Sequence, residues 1–161
     1  MDTTTNPPSV VDPDALTVTR SIRIAAPLAR VWAAVTEPNL ISGWFGEASF
    51  DSLDAGTTGS LTWDDHGSFP VRIEAVDELR SISYRWSSPR SDDLAEVDEE
   101  HSTVFTFTLE EVEGGTSLTV VETGFGTSDD PAAHLESHRQ GWDSELDELV
   151  ALVEGPVESA A

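Results

Sequence analysis

The chain contains no cysteine and no lysine. The first absence excludes disulfides, thiolate metal sites and cysteine nucleophiles together, and leaves the redox compartment unreadable. The second means that all eight basic residues are arginines; against 31 acidic residues they leave a formal charge of −23. Such a charge repels a phosphate backbone and an anionic membrane, so neither nucleic acid nor a lipid surface is an expected partner. It fits high solubility, with an acidic docking face for a basic partner as the functional alternative. No apolar run approaches eighteen residues and no basic, then apolar, leader opens the chain, so a cytoplasmic location is expected. No Ser-His-Asp order, phosphate loop, nucleotide fingerprint or internal repeat occurs.

What remains is 161 residues with 38% hydrophobic content, enough for one domain with a real core. Residues 1–16 read as a disordered tail, and its first fourteen residues, rich in Thr, Pro and Asp and without periodicity, as dispensable. Residues 17–155 read as the folded domain and 156–161 as a second flexible tail. From Thr17 to Ala25, Val18, Ile22 and Ile24 alternate with polar residues as in a half-buried strand. Pro27 and Pro38 then start two short helices, the second ending in Trp44-Phe45. Six more strands follow, over 47–51, 59–64, 69–77, 81–87, 103–112 and 116–125, most separated by Gly- or Asp-containing turns. Short links make the set an antiparallel meander, broken by a long acidic link over 88–100 that reads as a solvated loop. Asp129-Asp130-Pro131 opens a long amphipathic helix in which Leu135, Trp142, Leu146, Leu149 and Val153 recur at helical spacing. Gly141 within it is expected to permit close approach to the sheet or to make room beside Trp142.

Alternation places Ile82, Tyr84 and Trp86 on one strand face, Phe105, Phe107 and Leu109 on another, and Leu118 and Val120 on a third. Glu122 continues that last face. A carboxylate pointing inward is costly to bury unpaired, and His138 or Arg139 of the last helix is its expected partner; the alternative is a twist that turns Glu122 to water. His134 and His138 stand at i, i+4, a spacing that can hold a metal, but no third ligand lies nearby, so no metal and no cofactor are expected. His66 reads as a solvated turn residue. Trp32 and Trp142 read as core, and Trp44, Trp63 and Trp86 as pocket or rim residues.

Val31-Trp32, Trp44-Phe45, Tyr84-Arg85-Trp86, Gly114-Gly115-Thr116-Ser117-Leu118, Thr123-Gly124-Phe125 and His138-Arg139-Gln140-Gly141-Trp142 occur in this order. Together they resemble the bacterial proteins of the activator of Hsp90 ATPase homologue 1-like family, within the START/Bet v 1-like superfamily, over about Thr17 to Val153. The resemblance implies an α+β helix-grip fold: a curved antiparallel sheet of about seven strands, two short helices after the first strand and a long C-terminal helix. It also implies a cavity between sheet and terminal helix, as used across the superfamily for lipids, hormones and polyketides. The mouth would be bordered by residues 64–68, 88–100 and 126–130. The expected lining is Trp44, Trp63, Phe69, Val71, Ile73, Tyr84, Trp86, Phe105, Phe107, Val120, Glu122, Leu135, His138 and Trp142.

The leading expectation is a noncatalytic binding protein for a small apolar or amphipathic molecule. A cyclase- or hydrolase-type enzyme, with Glu122 and His138 as acid and base, is the second. The third is an Hsp90 co-chaperone-like interaction module. The eukaryotic co-chaperone carries a separate N-terminal domain where this sequence has a short polar tail, which speaks against the third.

Overall fold

Strand alternation and turn chemistry build most of this molecule. The structure, a computed structural model, describes residues 6–64, 67–87, 97–98 and 100–154. His66, most of the acidic link over 88–100 and the expected tail over 156–161 lie outside them. The elements run β1 (Val10–Asp12), β2 (Thr17–Ile24), α1 (Leu28–Thr36), α2 (Pro38–Ile41), β3 (Glu47–Phe50), β4 (Thr58–Trp63), β5 (Gly67–Asp77), β6 (Ser81–Ser87), β7 (Ser102–Val112) and β8 (Gly115–Thr123). A 3₁₀ turn (Phe125–Thr127) leads into α3 (Pro131–Glu154).

The strands form one antiparallel sheet in the order β1-β2-β8-β7-β6-β5-β4-β3. Consecutive hairpins from β3 to β8 make the meander, and β2 returns along β8, with Val18 opposite Glu122. A register shift in β5 between Ile73 and Ala75 bends that strand and adds to the curvature. The concave face holds Ile22, Ile24, Val71, Ile73, Ile82, Phe105, Phe107, Leu118 and Val120, all at most 3% exposed. Against it lie α1 and α2 at one end and α3 along its length, the helix-grip arrangement.

Local signals set the helix boundaries. Pro27 is the N-cap of α1 and Pro38 the first residue of α2. Asp130 caps α3 by accepting from the Ala133 amide at 3.2 Å, with Pro131 in the first turn. Gly124 takes φ of 102°, and a Cβ there would fall 2.8 Å from the Ser102 carbonyl oxygen. Only glycine can turn the chain this sharply beside β7, and the turn carries the backbone from Glu122 into the start of α3.

Two sequence expectations are corrected here. The sheet has eight strands because residues 6–16, within the segment read as a tail, are built into the fold. Val10–Asp12 pairs with Thr17–Thr19 at the sheet edge. Asn6 brackets Arg23, donating to its carbonyl at 3.2 Å and accepting from its amide at 2.9 Å. The Ser9 amide donates to Asp143 Oδ1 at 2.6 Å, and the Pro7 carbonyl accepts from Arg20 Nε at 2.9 Å. The segment is ordered by backbone and polar anchors, so hydrophobic periodicity gave no sign of it.

Arg20 is the hub of this corner. Only 4% exposed, it also donates to the carbonyls of Trp142 at 3.3 Å and Asp143 at 3.0 Å, and to Asp147 Oδ1 at 2.8 Å. Removal of residues 1–12 is therefore expected to destabilise the protein by about 2 kcal/mol, at about 1 kcal/mol per lost buried hydrogen bond. The melting temperature should fall by roughly 4–8 °C, read by circular dichroism. An unchanged melt would show that the strap merely rests on the surface.

Candidate functional site

The concave face is longer than the helices that fill it. Trp32 and Trp44 close one end, and Leu146, Leu149 and Val153 of α3 pack along the middle. Toward the far end of β6 and the start of α3 a cavity of about 550 Å³ remains. Its apolar wall is five aromatic rings: Phe45, Trp63, Phe69, Trp86 and Trp142. These rings support one another, with Phe45 stacked on Trp142 at 5.5 Å and edge-on to Trp63 at 5.1 Å. Trp86 lies 5.8 Å from Trp63. The polar wall comes from Ser87, Ser102 and Thr103, from Thr127, Ser128 and Asp129, from Asp98 and His101, and from His134, Ser137, His138 and Glu145 on α3.

Behind this wall lies Glu122, with no exposed surface. Strand alternation points it inward, as Leu118 and Val120 are, and four donors meet it. Oε1 accepts from His138 Nδ1 and from the Trp142 indole, both at 2.8 Å. Oε2 accepts from the Trp86 indole at 3.0 Å and from the Thr103 hydroxyl at 2.5 Å. A carboxylate offers about four acceptor sites, so this one is fully used. Burial works to raise its pKa. The His138 charge and the hydrogen bonds from His138, Thr103 and Trp86 outweigh that, and hold the carboxyl below its ordinary 4.5.

The network fixes which nitrogen of His138 donates. Nδ1 carries the proton that meets the Glu122 carboxylate. Nε2 has no hydrogen-bonding partner among the described residues, and the ring borders the cavity. His134 packs edge-on to His138 at 4.4 Å, and both rings meet Phe125. Burial and the neighbouring His138 push the His134 pKa down, against the pull of Glu122. Among the described residues no group of three or more His, Cys, Asp or Glu side chains is placed to hold a metal ion.

Of the lining expected from sequence, Trp63, Phe69, Trp86, His138 and Trp142 border the cavity. Trp44, Val71, Ile73, Tyr84, Phe105, Phe107, Val120 and Leu135 do not, and are corrected to core residues, each at most 3% exposed. The α1–α2 hairpin plugs the sheet over Trp44, whose indole donates to the Ala34 carbonyl at 2.7 Å. The Tyr84 hydroxyl is likewise spent on the Val35 carbonyl at 2.7 Å, and burial pushes its pKa up. Between them only about 10 Å³ stays open, less than one water needs. Glu122 reaches the cavity only through its donors. Arg139 is not its partner: it pairs with Glu136 at 2.6 Å and Asp143 at 3.2 Å.

Sequence reading missed Phe45, Ser87, His101, Ser102, Thr103, His134, Ser137, Gly141 and Glu145 as lining, while Asp98, Thr127, Ser128 and Asp129 fall within the segments expected at the mouth. Thr103 was detectable, since it shares a strand face with Phe105 and Phe107. Of the two readings of Gly141, close approach to the sheet is corrected: a Cβ there would meet nothing within 4 Å, so the residue adjoins open space.

The model of the family described as activator of Hsp90 ATPase homolog 1-like protein matches residues 25–154. The chain belongs to that family. Among solved structures it is similar to MLL2253 from Mesorhizobium loti, at 27% identity and TM-score 0.73, covering 86% of this chain and 96% of that one. Ms6760 from Mycobacterium smegmatis gives 24% identity and TM-score 0.74, covering 94% and 99%. DynU16, from the dynemicin biosynthetic locus, gives 23% and 0.71, covering 89% of this chain and 48% of DynU16. No curated protein matches the chain. These solved structures share the helix-grip fold with it, and no helix among the described residues is long and apolar enough to cross a membrane.

Proposed function

We propose that this member of the family is a noncatalytic binding protein for a small apolar or amphipathic molecule, held in the cavity between sheet and α3. The observation that carries this reading is the five-ring wall around about 550 Å³, within the range of small-molecule sites. Grouping the polar side chains at one end gives such a molecule an orientation. The proposed site is Phe45, Trp63, Phe69, Trp86 and Trp142 for the apolar body, with His138, positioned by Glu122, for the polar end. We further take the protein to act in the cytoplasm.

A second reading, an enzyme of the cyclase or hydrolase kind, draws on the His138 ring, which a carboxylate orients and which borders the cavity. The place of DynU16 in a biosynthetic locus is compatible with it. Saturation of Glu122 by four donors leaves that carboxylate unable to act as a base itself, which favours binding. Docking to an Hsp90-type chaperone gains nothing from a surface this acidic if the partner is acidic as well.

Gly141 supplies the test, because it adjoins the cavity without touching anything else. Gly141→Ala should stabilise the helix by about 1 kcal/mol and leave binding intact. Gly141→Phe should fill the cavity and abolish saturable binding of the neutral fluorophore N-phenyl-1-naphthylamine, read by its emission. Equal binding by wild type and Gly141→Phe would move the site elsewhere. Turnover that disappears in His138→Ala while binding persists would favour the enzyme.

A further inference from the structure

One residue beside the cavity has no conformational reason to be a glycine. Gly46 is buried between Phe45 and the start of β3, and its φ lies outside the left-handed region, so the backbone there suits an ordinary L-residue. What forbids a side chain is Trp63. A Cβ on Gly46 would lie 2.8 Å from Trp63 Cε2, 2.9 Å from Cζ2 and 3.0 Å from Cδ2, closer than carbon atoms pack. The sheet register accounts for the contact: β3 and β4 are antiparallel with Glu47 opposite Thr62, so one step further residue 46 faces residue 63. On its other flank Trp63 pairs with Gly67, where a Cβ would meet nothing within 4 Å. The indole therefore rests on Gly46 and not on Gly67.

That seat bears on binding because Trp63 belongs to the cavity wall. Its ring also meets Phe45 at 5.1 Å, Phe69 at 5.6 Å and Trp86 at 5.8 Å, all of them wall residues. We propose that Gly46 sets the width of the cavity at Trp63, and thereby the bulk of the guest it admits. The proposal rests on the binding reading above and adds to that site a specificity-determining residue outside the lining itself. A methyl group at position 46 pushes the indole off its seat, and the space the ring can enter without displacing another ring is the cavity. Glycine gives the widest form, and each carbon added behind Trp63 narrows it. An indole laid over a cross-strand glycine is also a stabilising contact in its own right, so stability alone does not separate the two roles; dependence on guest size does.

Two uncharged probes that share one body and differ in bulk provide the test: N-phenyl-1-naphthylamine and N-methyl-1-naphthylamine, titrated at neutral pH by their own emission and by calorimetry. Gly46→Ala should weaken the phenyl compound about tenfold and leave the methyl compound within about twofold of wild type. Adding Trp63→Phe, which has no atoms where Cε2 and Cζ2 lie, should return the phenyl compound to within about threefold of wild type. Equal losses for both probes would reduce the contact to sheet packing, unchanged affinity for both would mean that the indole swings out to solvent, and no recovery in the double variant would mean that another residue feels the methyl group. Each of these results overturns the inference and leaves the binding reading standing. If Gly46→Ala does not fold, Trp63→Phe alone decides: the preference for the phenyl over the methyl compound should rise about threefold, and an unchanged preference overturns the inference. Failure of the wild type to bind either probe would instead remove the binding reading itself.

Discussion

Glu122→Gln is expected to destabilise the protein by about 3–5 kcal/mol at neutral pH, the usual cost of breaking a buried, hydrogen-bonded charge site by removing its anion. The substitution keeps the shape and discards the charge. It also turns one acceptor oxygen into an NH₂ group, which must face either the His138 and Trp142 pair of donors or the Trp86 and Thr103 pair. N–H groups then point at each other in a site with no exposed surface. The pH dependence has a definite sign. The folded carboxyl lies below its ordinary 4.5, so the stabilisation it confers is present above the unfolded pKa and is lost as pH falls through the folded value. Urea denaturation of both proteins should show a wide gap at pH 7 that narrows below about pH 4.5. Equal stability at pH 7 would mean that the four donors do not hold a carboxylate.

Trp142→Ala is the second large effect expected, at about 3–5 kcal/mol for truncating a buried tryptophan. The ring is 3% exposed, packs on Phe105 at 5.2 Å and Phe107 at 5.8 Å, and its indole is one of the four donors to Glu122. Trp142→Phe separates the two contributions, because it retains most of the ring and loses only the N–H. It should cost about 1–3 kcal/mol, the penalty for leaving a buried charged acceptor one bond short. A loss below about 1 kcal/mol for Trp142→Ala, measured as a shift in urea midpoint, would contradict the grip of α3 on the sheet.

Much of this fold could be read before any coordinates. The alternation of Ile82, Tyr84 and Trp86, or of Leu118, Val120 and Glu122, names the concave face directly, since successive strand side chains point to opposite sides. The inward direction of Glu122 follows from the same rule. Its partners do not, because Trp86, Thr103, His138 and Trp142 come from three elements, 16 to 36 positions away along the chain. Alternation likewise cannot separate residues that border empty space from residues covered by another element. Val71, Phe105 and Tyr84 share a face with Trp86, yet the α1–α2 hairpin and the body of α3 cover the first three. Strand β1 escaped notice for a different reason, being three residues long and held by backbone and polar bonds.

The anchoring of α3 is uneven along its length. From Trp142 onward a buried residue recurs at 146, 149 and 153, and Arg20 grips the carbonyls of Trp142 and Asp143 from beneath. Before Trp142 the only buried residue is Leu135, and Ser137, His138 and Gly141 pass over the cavity. Mechanically the helix is a lever whose fulcrum is the Arg20 grip at Trp142 and Asp143. Its N-terminal arm is held by buried Leu135, by the rings of His134 and His138 against Phe125 and by the bond from His138 to Glu122. The load on this lever therefore falls beyond the fulcrum, where three buried residues seat it on the sheet, while the arm before the fulcrum spans open space between its supports.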